Sequence, residues 1–159
     1  MRQFKEGTIE GVIIRPLEKY NDERGWLMEI FRADEIDYSA TPVMCYASIT
    51  HPGIVRGPHA HNYQKDLFCF LGPSDFKIIL WDNRKESPTF GNKMTVIAGQ
   101  SNPCTIIVPE GVVHGYQNIG KEDGLVINFP NRLYKGWGKK ESVDEIRYED
   151  DPNSPFKLE

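Results

Sequence analysis

Two stretches decide the fold of this chain: Gly53-Ile-Val-Arg-Gly-Pro-His-Ala-His61 and Pro109-Glu-Gly-Val-Val-His-Gly-Tyr-Gln-Asn118. The first ends in His-x-His, and the second carries His114, 55 positions after His59. Side chains two apart on an extended strand point to the same face, so His59 and His61 can enter one cavity. If a later strand brings His114 to that face, the three imidazoles form one shared site, and this is what we expect.

Short apolar or alternating runs occupy most of the chain, and turn dipeptides such as Pro52-Gly53 separate them. This spacing predicts an all-β sandwich or barrel, and the need to cover strand edges favours a double-sheet jelly roll. We expect helix only at 32–38 and at 140–147, the second as a short C-terminal helix, with a solvated tail at 149–155. The strands are predicted at 11–15, 26–31, 43–50, 66–71, 76–81, 93–97, 105–108, 114–119 and 124–129.

The composition is that of one ordinary soluble domain spanning 1–159, with 39% hydrophobic and 26% charged residues. A net charge of −4 without a dense basic cluster argues against a nucleic-acid partner. The N-terminus lacks the apolar run of a signal peptide, and no run approaches the ~18 apolar residues of a membrane span. We therefore expect a cytoplasmic protein without a membrane partner, in which Cys45, Cys69 and Cys104 are buried free thiols.

The two histidine stretches resemble the paired motifs of the cupin superfamily, small β-barrels of the jelly-roll (double-stranded β-helix) type that gather three histidines inside the barrel. In a metal-binding cupin the first motif continues with a glutamate ligand after three or four residues, and a glycine follows seven positions later. Here Gly72 is present, but Lys65 stands where the glutamate would be. Because an ammonium group repels a cation, we expect no metal and no other cofactor. Zn²⁺ or Fe²⁺ on the three histidines is the alternative.

Four stretches in the same order resemble the dTDP-4-dehydrorhamnose 3,5-epimerase family: 21–29, 55–59, 82–91 and 109–116. The resemblance implies a dimeric cupin-type jelly roll that binds a nucleotide-linked 4-keto-6-deoxy sugar. In that family a histidine removes the proton on the carbon next to the ketone, and an acid returns a proton from the opposite face without a metal. The stretch 82–91 also has the composition of a long hairpin turn, so we expect its role to be mainly structural.

The family resemblance assigns roles to individual residues. His59 matches the base, and Lys65 matches a lysine near the ketone oxygen, where a cation stabilises the developing enolate. Arg24 and Arg56 match arginines that hold the diphosphate, which suits the forked guanidinium group. The remaining residues expected to contact the substrate are Glu29, His61, His114, Tyr116, Asn128 and Tyr134.

The chain also departs from the family pattern. The family's acid tyrosine corresponds to Asn128, or to Ile127 with an offset of one, and the chain ends before the segment whose carboxylate orients the base histidine. We therefore expect the proton on the far face to come from water or from Tyr116. The strand before the first motif carries Met44, Cys45 and Tyr46 where the family has other polar residues.

The Arg-Gly-Pro-His-Ala-His form of the first motif is similar to the dTDP-4-keto-6-deoxyglucose 3,4-ketoisomerases, which move the ketone. The sequence favours a 3-, 5- or 3,5-epimerase of deoxysugar or polysaccharide biosynthesis. It leaves open a ketoisomerase, a metal-dependent cupin enzyme and a non-catalytic nucleotide-sugar binder. We expect a homodimer, in which the strand at 7–15 covers a sheet edge of the neighbouring subunit.

Overall fold

The computed structural model describes residues 3–158 and consists almost entirely of β-strands. A six-stranded sheet faces a five-stranded sheet, and a two-stranded hairpin stands apart from both. The strands are β1 (Lys5–Glu6), β2 (Ile13–Pro16), β3 (Lys19–Asp22), β4 (Gly25–Met28), β5 (Tyr46–Thr50), β6 (Val55–Ala60), β7 (Asp66–Phe70), β8 (Asp75–Asp82), β9 (Asn92–Gly99), β10 (Cys104–Val108), β11 (Val112–Asn118), β12 (Gly124–Asn128) and β13 (Ile146–Arg147).

The two sheets confirm the predicted all-β, double-sheet architecture. The six-stranded sheet has the order β1-β9-β8-β11-β6-β13, the five-stranded sheet β2-β10-β7-β12-β5, and the hairpin is β3-β4. Each of the nine predicted strands overlaps an observed one, whereas β1, β3, β6 and β13 were not among the predicted strands. None of the described segments forms a helix long and apolar enough to cross a membrane.

Successive side chains of β7 point alternately into the space between the two sheets and away from it. Phe68 and Phe70 point between the sheets into the main core, which they share with side chains of β8, β10 and β11. Leu67 points the other way and packs with Ala40 and Ile107 in a separate outer cluster. All five residues of β7 are buried, because both faces of the strand are covered. The residue that precedes Leu67 must therefore face the interior.

Both helix predictions were wrong. Residues 32–38 form turns that lead into a single 3₁₀ turn at Tyr38–Ala40, and residues 140–147 run extended into β13. The second segment pairs with β6, where Ile146 lies opposite Ala60 and Arg147 opposite His59. The strand pairing uses backbone groups of Ile146 and Arg147, and the Asp144 carbonyl hydrogen-bonds with His61, so these groups are not available for helical hydrogen bonds.

Two smaller predictions were confirmed in part. Residues 149–155 are exposed except for Ser154, as expected of a solvated stretch, and they lead into Phe156, which is 3% exposed and packs on Trp81 and Tyr148 over the outer face of the six-stranded sheet. Of the three cysteines, which are all free, Cys69 and Cys104 are buried as predicted, but Cys45 is exposed.

The stretch 82–91 is the turn between β8 and β9, and a buried carboxylate organises it. Asp82 is 0% exposed and accepts hydrogen bonds from Arg84 Nε at 2.9 Å, Ser87 Oγ at 2.6 Å and Thr89 Oγ1 at 2.6 Å. Burial would raise the pKa of Asp82, but these three donors hold it below its usual value. The Gly91 N–H closes the turn by donating to the Asp82 carbonyl at 2.9 Å. The turn therefore has the structural role that we expected.

We predict that Asp82→Asn lowers the free energy of unfolding by about 3 kcal/mol, because an amide places donors opposite donors and removes the buried charge. Urea denaturation at neutral pH measures this change. Asp123→Asn is the matched control, since the ion pair of Asp123 with His51 is exposed and contributes at most about 1 kcal/mol. Equal, small losses in the two variants would show that the turn does not depend on the Asp82 charge.

Candidate functional site

The two sequence motifs meet on neighbouring strands of the six-stranded sheet. His59 on β6 lies directly opposite His114 on β11. The strands come this close because Gly57 has a φ of +81°, and a Cβ there would lie 2.8 Å from the His114 carbonyl oxygen. The Gly111 N–H at the start of the second motif donates to the His61 carbonyl at 2.8 Å. The glycines of both motifs thus position the histidines.

The three predicted histidines form one cluster. The ring centroids of His59 and His114 are 4.5 Å apart, those of His59 and His61 5.6 Å, and those of His61 and His114 6.0 Å. One nitrogen from each ring lies within 4.8 Å of the other two. His114 is 2% exposed, and its Nδ1 contacts the Val112 carbonyl at 3.0 Å. A proton on that Nδ1 leaves the lone pair of Nε2 facing the cluster.

Asp66, which the sequence analysis did not single out, completes this cluster from the five-stranded sheet. The residue is 1% exposed, and its Oδ2 lies 3.2 Å from His61 Nε2 and 3.4 Å from His114 Nε2. Its Oδ1 accepts hydrogen bonds from Gln64 Nε2 and Asn128 Nδ2, both at 2.8 Å. The cupin spacing matched its neighbour Lys65 instead, because Gly72 follows Lys65 by seven positions, whereas Pro73 stands at that distance from Asp66.

The pKa values of His59 and His61 are shifted in opposite directions. Burial, with the neighbouring histidines, lowers the pKa of His59 to about 2, so its ring is neutral at neutral pH. Burial also opposes a charge on His61, but the carboxylate of Asp66 and the Asp144 carbonyl outweigh it and raise the pKa to about 9. Burial would raise the pKa of Asp66, yet His114 and His61 hold it below its usual value. The site therefore combines a neutral imidazole with an imidazolium–carboxylate pair.

The segment 140–147, predicted as the terminal helix, contacts the first motif and fixes its position. The Asp144 carbonyl hydrogen-bonds with His61 Nδ1, and its carboxylate accepts from the backbone N–H groups of Asn62 and Tyr63 at 2.9 Å each. Asp144 therefore fixes both the ring of His61 and the turn that follows it. No local pattern marked this residue, because its partners lie more than 80 positions earlier in the chain.

The structure does not bring Lys65 to the histidines. Its Nζ donates to Ser39 Oγ at 2.5 Å, beside the outer cluster of the five-stranded sheet. Its backbone N–H donates to Asn131 Oδ1 at 2.8 Å. Since Asp66 faces the interior, the preceding side chain points to the opposite face. The reason to expect no metal, a lysine ammonium inside the site, does not hold in this geometry.

Asn128, one of the two residues that the sequence matches to the family's acid tyrosine, lies inside the site. It is 1% exposed, and its Nδ2 donates to Asp66 Oδ1 and to Tyr46 Oη, each at 2.8 Å. Tyr46 is its direct partner across the β5–β12 pair. A phenol therefore reaches the site from the neighbouring strand.

Arg56 and Tyr116 lie on the wall of the same interior. Arg56 on β6 donates to Thr50 Oγ1 at 2.9 Å and to the Ile49 carbonyl at 2.7 Å. Among the ion pairs of residues 3–158, none includes Arg56, so no carboxylate neutralises its charge. Tyr116 is 5% exposed and packs with Phe68 in the core. Its hydroxyl lies 3.4 Å from Ser48 Oγ and also contacts the side chain of Thr50.

Three other predicted substrate-binding residues make their described contacts elsewhere. Arg24 sits at the tip of the β3–β4 hairpin and pairs with Asp22 at 2.6 Å. Glu29 follows the hairpin and lies 3.8 Å from Arg32. Tyr134 is 52% exposed and follows β12. Their roles in substrate binding stay predictions.

The arrangement is suited to moving a proton, and it could also hold a cation. A neutral imidazole accepts a proton, and an adjacent imidazolium stabilises negative charge. Three imidazole nitrogens with a carboxylate are equally a donor set that suits Zn²⁺ or Fe²⁺. Neither Asp66 Oδ2 nor His114 Nε2 completes a hydrogen bond with another described residue. A proton shared between Asp66 Oδ2 and His114 Nε2, or a metal ion bound by both, would give each of these atoms a partner.

Comparison with known proteins identifies relatives that share this scaffold. The chain is 38% identical over 128 residues to a "probable low-salt glycan biosynthesis epimerase" of Haloferax volcanii, covering 80% of this chain and 81% of that protein. It is 31% identical over 126 residues to a spore coat polysaccharide biosynthesis protein of Bacillus subtilis, covering 79% and 82%. The crystal structure of a dTDP sugar isomerase from Desulfovibrio desulfuricans G20 superposes with a TM-score of 0.80 at 24% identity, over 94% of this chain and 91% of that one. This last match confirms the fold.

A family model described as dTDP-4-dehydrorhamnose 3,5-epimerase matches residues 6–151. The match contains both histidine motifs, the turn at 82–91 and the carboxylates that position the cluster. The chain therefore belongs to the dTDP-4-dehydrorhamnose 3,5-epimerase family, as its motifs predict.

Proposed function

We propose that this protein is an isomerase that inverts a carbon next to the ketone of a nucleotide-linked 4-keto-6-deoxy sugar. The observation that carries the proposal is the neutral His59 beside the charged His61–Asp66 pair inside the barrel. Family membership and the match to a dTDP sugar isomerase support the substrate class. The names of two relatives, which refer to glycan and spore coat polysaccharide biosynthesis, support a role in making cell-surface polysaccharides.

The proposed step begins when His59 takes the proton from the carbon beside the ketone. A buried base with so low a pKa gains little by protonation alone, but the enolate formed in the same step is negative and stabilises the new imidazolium. His61, protonated and held by Asp66, supplies the cation near the enolate oxygen, the role that the family resemblance gives to Lys65. The reaction needs no metal in this scheme.

We assign the diphosphate end of the substrate to Arg56. Its guanidinium lies beside β5 and donates hydrogen bonds to neutral acceptors, so its positive charge remains available to phosphate oxygens.

The buried free thiols Cys69 and Cys104 favour a reducing compartment, and we place the protein in the cytoplasm on that ground.

We predict that His59→Asn slows incorporation of deuterium from D₂O, next to the ketone of a dTDP-4-keto-6-deoxy sugar, by roughly 10²–10⁴-fold. Binding of dTDP, measured by calorimetry, should persist, because Arg56 is untouched. His51→Asn is the matched control, since His51 is exposed and pairs with Asp123 away from the cluster. Mass spectrometry of the recovered sugar measures the exchange.

Two outcomes would contradict the proposal. The absence of exchange by the unmodified protein with dTDP, GDP or CDP keto sugars would exclude an isomerase of this substrate class. Full exchange by His59→Asn would exclude His59 as the base. The stereochemistry of the product decides between inversion and migration of the ketone, which the 3,4-ketoisomerase alternative requires.

A metal-dependent sugar isomerase is the second candidate. The favouring observation is that Asp66 Oδ2 and His114 Nε2 face each other without hydrogen bonds, next to two further imidazoles. In this case the three histidines and Asp66 would hold a divalent ion, whose charge would polarise the ketone. The outward position of Lys65 removes the repulsion that argued against such an ion.

Metal analysis separates the two candidates. For the metal-free proposal we expect purified protein to contain far less than one equivalent of Fe, Mn or Zn, and exchange to survive EDTA. About one equivalent per chain, reduced by Asp66→Asn and needed for exchange, would establish the metal-dependent candidate. His51→Asn should leave the metal content unchanged in either case.

We further propose that the protein is a homodimer and that the β3–β4 hairpin lies in the interface. The hairpin belongs to neither main sheet, and it exposes Tyr20, Trp26 and Leu27 at 54%, 51% and 64%. An isolated two-stranded sheet with exposed apolar side chains gains stability when a partner covers it. The strand expected at 7–15 includes most of β2, which pairs with β10 of its own chain and forms an edge of the five-stranded sheet, so its predicted role in covering a neighbouring subunit stays a prediction.

We predict that size-exclusion chromatography with light scattering gives twice the chain mass of 18.2 kDa at micromolar concentration. Leu27→Asp should shift the population toward the monomer, because it places a charge in the covered surface. Ile119→Asp, at an exposed residue after β11, is the control. A species of 18.2 kDa alone would contradict the dimer.

A further inference from the structure

Inversion of a carbon requires two proton-transfer groups on opposite faces of the substrate. His59 and His114 enter the interior from the six-stranded sheet, whereas Asp66, Asn128 and Tyr46 enter it from the five-stranded sheet. A sugar bound between the sheets therefore has the base on one side. A proton donor for the other side must come from the five-stranded sheet.

Tyr46 is placed to be that donor. It begins β5 and lies opposite Asn128, whose Nδ2 donates to Tyr46 Oη at 2.8 Å. The same Nδ2 donates to Asp66 Oδ1 at 2.8 Å, so the amide connects the phenol to the buried carboxylate. Because Asn128 is the donor in its contact with Tyr46, the phenolic proton is not used in that hydrogen bond. The O–H remains free to point at a bound substrate.

The phenol is protonated and also accessible. Burial of the hydroxyl, with the negative charge of Asp66, raises the pKa of Tyr46 to about 12, so the group carries its proton at neutral pH. Over the whole residue 46% of the surface is exposed, and a ligand entering at the barrel mouth can therefore reach it.

The other candidates for the donor lack one of these properties. Tyr116, one of the two sources expected from the sequence, is 5% exposed, and the rings of Phe70 and Phe76 pack at 5.6 Å from its own ring. Asn128 is buried in the right place, but an amide does not release a proton readily. Lys65 points away from the interior toward Ser39.

We propose that Tyr46 is the catalytic acid that protonates the enolate carbon on the face opposite His59. The inference rests on the proposed function and names the residue that completes it. It replaces the expectation that water or Tyr116 supplies this proton. Asn128, at the position where the family carries its acid tyrosine, becomes a positioning residue that holds the Tyr46 hydroxyl.

The protons and electrons of the step balance without a further reactant. His59 takes the proton as the C–H bond breaks, and the electron pair moves to the ketone oxygen through the new C=C bond. The C=O bond then re-forms while the enolate carbon takes the proton of Tyr46 on the other face. The step leaves an imidazolium and a phenolate, and transfer of one proton through solvent restores both groups.

The test compares inversion with exchange in a Tyr46→Phe variant. With dTDP-4-keto-6-deoxyglucose in D₂O, we expect inversion to fall roughly 10²–10⁴-fold. Exchange at the same carbon with retained configuration should continue, because His59 still removes the proton and returns deuterium to the same face. NMR of the product measures both rates. Tyr38→Phe, the same chemical change at a residue that is 92% exposed, should alter neither rate.

The ratio of the two rates distinguishes catalysis from a structural effect. A merely structural role for Tyr46 would lower exchange and inversion by the same factor, and this result would overturn the proposal. Unchanged inversion in Tyr46→Phe would overturn it as well. If the unmodified protein exchanges no nucleotide keto sugar, the proposed function itself fails, and that failure is visible before any variant is compared.

Discussion

The buried carboxylate of Asp66 is the constraint on which the rest of the site depends. A charge with 1% exposure is tolerated only where donors and opposite charges surround it. Gln64, just before β7, and Asn128 on β12 donate hydrogen bonds to one oxygen, and His61 and His114 face the other. The contact between Asp66 and His61 joins groups from the two sheets at this end of the barrel, and it also raises the pKa of His61. Burial and the neighbouring histidines, by contrast, lower the pKa of His59.

The sequence predicted the scaffold and the histidines well, and physical reasons explain this success. Period-two alternation and turn dipeptides are local signals, so nine strands could be located without knowledge of the fold. The glycines of the two motifs are needed where the strands approach closely, as at Gly57, and their spacing therefore marks the cluster. His59, His61 and His114 came together as expected.

The sequence was least reliable where one residue of register or a distant contact decides the outcome. Along a strand a shift of one position turns a side chain to the opposite face, and this is the difference between Lys65 outside and Asp66 inside. The segment 140–147 has a helical pattern of apolar residues, yet Asp144 binds the turn after β6 and draws the segment into an extended form. Such contacts depend on the tertiary fold and leave no local signal.

Tyr46 shows that side chains from neighbouring strands of one sheet can reach the same part of the interior, although they are far apart in the sequence. Neighbouring strands lie about 5 Å apart, and a phenol is long enough to span that distance. The hydroxyl of Tyr46 on β5 therefore reaches the side chain of Asn128 on β12, at a distance of 2.8 Å. A side chain on β5 still enters from the five-stranded sheet, opposite His59, the proposed base on β6. The proposed inversion requires a base on one face of the sugar and an acid on the other. This requirement constrains the sheet that carries each group and leaves the strand within that sheet free to vary.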